Sequence, residues 1–412
     1  MSETYTKVRL IDAFPVEVSG ERYVYLRDPI ALGDKMLAVP LPVFFVITLL
    51  DGLHSTGDIQ AKFAKQFGDI IFDHEIEGIT RQLDENHLLE NERFDEFRRQ
   101  LEIEFRQAGT RTAWHAGKVY PAEPLSLRET LSQYFIHKDG PGPIGPIHPD
   151  NEVRGAILPH IDFPRGGWCY AWAYKELAER CAADLFLIFG TAHGPMRSPF
   201  ALTRKNYETP LGPLETDQPF LEALLQSYRG SLDLFKDEFE HRSEHSIEFQ
   251  SVFLQFLFGE KRKIRAVPIL CGSLHGHVYN GVPPSRDREY CAFRDALKTA
   301  INGAARAGQK VFCLASADLA HMGPRFGDPF PADSPVLQEI HKEDHELLQT
   351  IERVDAAGFH QHIEKDKDRR RICGYPPIYA MLSVLEAERG RVLKYGQRCD
   401  DGSVVTFASM VF

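Results

Sequence analysis

The apolar residues of this chain follow two rhythms. Up to about residue 105 they recur every three or four positions, as on one helix face; from about residue 110 they gather into short unbroken runs between amphipathic stretches. In the first region the run Val43–Leu50 ends at Asp51-Gly52, a stop signal for a helix or a strand. Ser55 or Thr56 then caps a helix carrying Ile59, Phe63 and Phe67, and a second helix shows Ile76, Ile79 and Leu83 on one side before closing at Leu88-Leu89. The stretch "ERFDEFRRQLEIEFRQ" reads as a solvated connecting helix with opposite charges at i,i+4. In the second region Ala156–Leu158, Leu185–Phe189, Ile264–Leu270 and Val311–Ala315 have the look of buried strands, and "WCYAWAYKELAERCAAD" is a helical crossover between the first two. The pattern predicts an α/β domain over 106–412, with a mainly parallel central sheet flanked by helices. A small helical, winged-helix-like domain over 1–105 precedes it. The Pro/Gly-rich segment 138–151 reads as a loop leading into the sheet.

Bulk composition narrows the function classes. A length of 412 residues suits two domains. The net charge of −11 argues against nucleic acid or an anionic membrane as partner, and the helix "DHEIEGITRQLDENH" is too acidic to sit on DNA phosphates. Seven scattered cysteines with no CxxC pair argue against a disulfide framework. The first residues lack an apolar signal-peptide core, and the longest apolar run, Met36–Leu50, contains two prolines and is short for a membrane span. The expected compartment is the cytoplasm.

Ligands of open α/β sheets bind beyond the carboxyl ends of the strands, so those ends can be read as a list of pocket residues. Three of them deliver a histidine: His160 after "AIL", His193 after "LFLIFG", and His321, with Asp318, after "VFCLA". One strand-end histidine is usually structural; three suggest a shared metal site, which would favour a thiolate or carboxylate as a further ligand. Cys373 in "RRRICGYPPI" is a candidate because three arginines precede it and would favour its thiolate; the plain alternative is an ordinary buried cysteine. Asp318 and His321 are placed to form a hydrogen-bonded acid/base pair, the alternative being that Asp318 caps a helix starting at Leu319. His245 in "SEHSIE", with Glu244 and Glu248, is a further candidate at a helix N-terminus, where Ser243 or Glu244 would otherwise serve only as a cap. The run "EKDKDRRR" (364–371) reads as a solvated face whose arginines could also attract an anionic substrate.

An ordered series of motifs carries a resemblance. "WHAGKVYP", "RGAILPHIDFPRGG", "FLIFGTAHG", "YETPLGPLETD", "EHSIEFQSVFLQF", "VPILCG", "SADLAHMG" and "ICGYPPIYAML" succeed one another from about residue 111 to the end. Residues 111–412 thus resemble the Memo-like proteins, which are structurally similar to class III extradiol ring-cleaving dioxygenases. The resemblance implies metal ligands at His160, His193 and Cys373, with Asp318 and His321 beside the metal. "LLDG…STGDIQAKFAKQFG…ITRQLDENHLL" resembles, more briefly, the PqqD-like peptide-docking winged-helix domains. Departures from the Memo-like pattern fall at Ile161 and Asp162 (usually PHAGY), Gly194 (often a second histidine) and Ala317 (usually SSD). They spare the ligands and are expected to reshape the pocket.

Two imidazoles and a thiolate would leave an open face on iron or copper, which the softness of the thiolate favours; zinc also accepts this set. Three functions follow as expectations. The first is a non-haem iron or copper oxidoreductase acting on a small molecule or peptide, with a radical-SAM protein as the partner that the resemblance implies. The second is a non-catalytic peptide- or protein-binding module, and the third a zinc hydrolase with Asp318 or His321 as base.

Overall fold

The structure, a computed structural model, describes all residues except 1–4, 19, 29–31, 33–35 and 149–151. The first four residues of the N-terminus and the last three of the loop 138–151 therefore lie outside the described residues. Contacts divide the chain into two units, Met1–Gln107 and Ala108–Phe412.

The N-terminal unit opens with an antiparallel meander of β1 (Asp12–Val18), β2 (Glu21–Arg27) and β3 (Leu37–Pro40). This small sheet extends the helical reading of the sequence. Its signal was the alternation in β2, where buried Val24 and Leu26 alternate with half-buried Tyr23 and Tyr25. α1 (Leu41–Leu49) follows, and α2 (Thr56–Phe67) starts at Ser55, which forms a reciprocal capping box with Asp58. It ends where Gly68 turns left-handed at φ 68°. Ile59 and Phe63 enter the core, and the more exposed Phe67 packs on Phe45 and Phe63. α3 (Asp73–Glu85) buries Ile76 and Leu83. α4 (Glu92–Gln107) carries the Arg98–Glu102 pair, but it is more than a solvated connector: Phe94 lies under the buried Arg9 guanidinium at 3.7 Å, and Phe97 stacks on His87 at 3.9 Å.

The C-terminal unit runs β4 (Thr110–Arg111), α5 (Pro124–Ile136), β5 (Gly155–Leu158), α6 (Phe163–Arg180), β6 (Leu185–Thr191), β7 (Phe200–Leu202), β8 (Asn206–Tyr207) and β9 (Glu215–Thr216). Next come α7 (Gln218–Ser227), α8 (His245–Phe258), β10 (Arg265–Cys271), α9 (His275–Asn280), α10 (Arg288–Arg306), β11 (Val311–Ser316) and β12 (Asp318–Met322). α11 (Ser334–Glu352), α12 (Ala356–Lys365), α13 (Tyr375–Leu382), β13 (Arg391–Asp400) and β14 (Ser403–Val411) complete it. Four strands in the order β5-β11-β6-β10 are parallel and form the middle of a nine-stranded sheet. β7 adds antiparallel to β10, and β14 adds antiparallel to β5 and carries β12 and β13.

Every residue of β5 and β6 is buried because helices cover both faces. Neighbouring side chains go to opposite cores. Leu187 joins Ile269, Phe293 and Ile378, while Ile188 joins Phe253, Tyr174 and Leu131. The crossover helix α6 leads from β5 to β6 past the intervening β11. Register then fixes the site: Ser316 of β11 lies opposite Leu158 of β5 and Gly190 of β6, so the residues just beyond all three strands emerge at one level. Among the described residues no helix is long and apolar enough to cross a membrane.

Candidate metal centre

His160 leaves β5 two residues beyond Leu158. Its backbone N–H donates to Asp318 Oδ1 at 3.0 Å, and its ring Nδ1 lies 3.1 Å from the Ser316 carbonyl. A carbonyl only accepts, so Nδ1 holds the proton and Nε2 carries the lone pair. That Nε2 faces Cys373 Sγ at 3.3 Å. His193 follows β6, with its ring centroid 5.0 Å from that of His160 and nearly perpendicular to it. Here the Nδ1 partner is Glu244, whose two carboxylate oxygens each lie 3.1 Å away; Glu244 also accepts the His193 backbone N–H at 2.9 Å. One ligand atom each from His160, His193 and Cys373 lies within 4.8 Å of the others. Two imidazoles with Nδ1 engaged and a thiol at the third corner fit a soft or borderline transition metal, and the partners behind the rings are of the kind that orients metal-binding histidines.

The local fields treat the two rings differently. Burial, and then the neighbouring His193, pull His160 down to about 3, so its ring stays uncharged. Desolvation works against the charge of His193, but the Glu244 carboxylate and its hydrogen bond outweigh it and raise its pKa, so this ring gives up a proton before it can ligate. Burial pushes the Cys373 thiol well up, and the charge of Asp318 adds to the shift. The arginines before it do not lower it as the sequence suggested, because each is engaged by other carboxylates: Arg369 by Glu339 and Glu343, Arg370 by the buried Asp344, Arg371 by Asp328. A thiol in this setting needs a cation beside it to ionise.

Three further candidates fall around the triad. His245 is the first residue of α8; its ring stacks on that of His193 at 4.7 Å and lies 5.2 Å from that of His160. Burial holds its pKa well below the ordinary value. His321 keeps its Nδ1 on the Leu319 carbonyl at 3.0 Å, so it too presents Nε2. The expected hydrogen bond between Asp318 and His321 is not formed, since both lie on β12, where a register shift separates them. Nor does Asp318 cap a helix, because Leu319 continues the strand. Asp318 instead accepts from the His160 backbone, and burial pushes its carboxyl up to about 6. Glu248, expected to reach the pocket, turns away and is fully buried against Arg111 and Tyr120. His193, Glu244 and His245 also converge, but at hydrogen-bonding distances, and Ser246 N–H already occupies Glu244 Oε1 at 2.9 Å.

The family model described as Memo-like protein matches residues 111–411. The chain belongs to the Memo-like family. A MEMO1 family protein of Aquifex aeolicus is 29% identical over 412 residues, covering 98% of this chain and 99% of its own. One from Methanococcoides burtonii is 31% identical over 303 residues, covering 72% of this chain and 97% of its own. The memo-1 homolog of Caenorhabditis elegans is 31% identical over 283 residues, 67% of this chain and 71% of its own.

Within the Memo-like frame, the departures noted in the sequence have structural roles. Ile161 is buried in the apolar core rather than lining the centre, and its carbonyl accepts from Tyr170 Oη at 2.9 Å. Asp162 pairs with Arg165 at 2.7 Å where α6 begins. A Cβ at position 194 would meet the Glu240 carboxylate, the far end of a flexible side chain that would have to swing aside, so the glycine lets that group lie where it does beside residue 194. Ala317 packs close to Gly374 and is fully buried. Sequence reasoning missed Glu244 as the partner of His193 and missed Arg111 entirely. Glu244 was visible as a helix cap, but nothing local tied it to a residue 51 positions earlier.

Proposed function

We propose that this protein binds one redox-active transition metal, iron or copper, through His160, His193 and Cys373, and acts as an oxidoreductase on a small molecule or peptide. The observation that carries the reading is the shared orientation of His160 and His193. Each ring has its Nδ1 engaged from behind, which leaves both Nε2 lone pairs for an ion beside Cys373 Sγ. A bound iron or copper supplies one-electron chemistry at an open coordination position.

The chain's own residues supply the rest. Ser316 and Asp318 hold His160 from its ring and its backbone. Glu244 holds His193 in the same two ways. His245, kept neutral by burial and 28% exposed, is the proton acceptor best placed for a substrate entering beside His193. His321, on the same strand as Asp318, has its Nδ1 engaged and presents a second imidazole Nε2.

The test is metal analysis of protein purified without oxygen or chelator, followed by oxygen uptake with and without the metal. The reading expects about one iron or copper per chain, lost in His160→Ala and Cys373→Ala, with oxygen uptake that needs the metal. Stoichiometric zinc with hydrolytic activity lost on chelation would replace it with the hydrolase reading. Metal-free protein with intact ligands would overturn both.

A further inference from the structure

We propose that Arg111 is a positioning residue for this centre. Its guanidinium fork holds the bend from His241 to Glu244 in the shape that lets Glu244 fix the His193 ring. Arg111 Nε donates to the His241 carbonyl at 2.9 Å and Nη2 to the Glu244 carbonyl at 2.8 Å. Nη1 donates to the Thr112 carbonyl at 2.8 Å and to Glu248, whose other oxygen accepts from the His115 backbone N–H and the Tyr120 hydroxyl. Both members of the Arg111–Glu248 pair are fully buried. Burying two charges is costly, and replacing such a pair by apolar residues is often no loss of stability, so its presence asks for a role in geometry.

That role lies one residue away from the metal centre. The His193 side chain is 41% exposed, so packing alone does not set the angle of its ring. Glu244 sets it, with one backbone and one ring hydrogen bond. Glu244 is in turn held at its carbonyl by Arg111 and at its carboxylate by the N-terminus of α8. A planar fork spans the two carbonyls of residues 241 and 244 at once; a lysine ammonium keeps the charge and loses the second arm. Without that arm the bend relaxes, the Glu244 carboxylate drifts, and the His193 ring is free to carry its proton on Nε2, where it blocks the metal.

The consequence for metal binding rests on the function proposed above, whereas the state of the His193 ring does not, so two readouts on the full-length chain separate them. The first is ¹⁵N-histidine NMR of metal-free protein, with His193 assigned by its loss in His193→Gln. The second is titration with Co(II), followed by the thiolate–cobalt absorption. With the ring in its neutral form, on the alkaline side of its raised pKa, wild-type His193 is expected as the Nδ1–H tautomer; Arg111→Lys should show a mixture and bind Co(II) about 10–100-fold more weakly, the range typical of partners behind metal ligands. A merely structural role would lower the melting temperature and leave both readouts of the folded fraction unchanged. Should Arg111→Lys not accumulate as folded protein, Glu244→Gln gives the same two readouts for the second link. Persistence of the Nδ1–H tautomer, with Co(II) affinity within about twofold of wild type, would overturn the proposal. Wild-type protein that takes up no Co(II) would instead sink the metal reading, and the tautomer would still decide the role of Arg111.

Discussion

Cys373 Sγ and His160 Nε2 lie 3.3 Å apart although 213 residues separate them in the chain. Two structural features bring them together. The parallel register of β5 and β11 sets His160 and Asp318 side by side, and the Asp318 carbonyl then accepts the Gly374 N–H at 3.0 Å, which holds the loop carrying Cys373. Replacing the thiol by a hydroxyl, Cys373→Ser, keeps nearly the same volume and removes the proposed soft ligand. The variant should fold with a melting temperature close to that of the metal-free wild type and bind iron or copper at least about 100-fold more weakly, since a lost ligand costs more than a lost supporting bond. Metal content after equilibrium dialysis checks this, and retention of metal by the serine variant would show that the site lies elsewhere.

Metal binding to the folded chain alone raises its stability by mass action. With free metal at 100 times its dissociation constant the gain is about 2.7 kcal/mol. Thermal melts should therefore shift upward on adding metal to the wild type and return on adding chelator, and His160→Ala should melt at the same temperature with or without metal. An equal shift in the alanine variant would point to adventitious surface binding.

The sequence carried the fold further than the site. Unbroken apolar runs at Leu185–Phe189 and Val311–Ala315 read as strands covered on both faces and are strands, and "ERFDEFRRQLEIEFRQ" matches the observed α4 residue for residue. Histidines placed just past strand ends were likewise legible, because the ends of parallel strands share one edge of the sheet. What could not be read locally was anything that depends on register or on distant hydrogen bonds. The step from β11 into β12 turns Asp318 toward the His160 backbone rather than toward His321, a consequence of pairing with β14 nearly ninety residues later. The arginines before Cys373 misled because charge along a sequence says nothing of the carboxylates that meet it in space. The N-terminal sheet was overlooked because its alternation is brief and its flanking helices dominate the pattern.

His241 supplies a pH dependence outside the candidate ligand triad. It is fully buried; Tyr207 Oη donates to its Nδ1 at 2.7 Å and its Nε2 donates to the Ala201 carbonyl at 3.0 Å. Burial pulls its pKa down to about 3 from an ordinary 6.5. The fold therefore holds the neutral ring, while the unfolded chain takes up a proton below about pH 6.5. The contribution is complete above that value and declines as pH falls toward 3, with a limiting slope of about 1.4 kcal/mol per pH unit for one proton. Urea melts from pH 8 to pH 4 should show this acid limb, and His241→Gln should be less stable at pH 8 with a shallower limb. Parallel wild-type and variant curves between pH 6.5 and pH 4 would refute the assignment.

Phe253 tests the packing that carries α8. Its ring is fully buried, lies 4.6 Å from and nearly parallel to that of Tyr174, stacks on Tyr170 at 5.2 Å, and meets Phe163 edge-on at 5.2 Å. Phe253→Ala removes these contacts and opens a cavity between α6 and α8, at a cost of about 3–5 kcal/mol. Residue 253 lies two turns along the helix from His245, on a face turned to the core, so the helix N-terminus keeps its own support from Glu244 and Arg111. The folded fraction of Phe253→Ala should accordingly bind metal with the wild-type stoichiometry while its urea midpoint falls. If the metal were lost in step with stability, the N-terminus of α8 would depend on the aromatic stack as well as on its hydrogen bonds, and the division drawn between core packing and site geometry would fail.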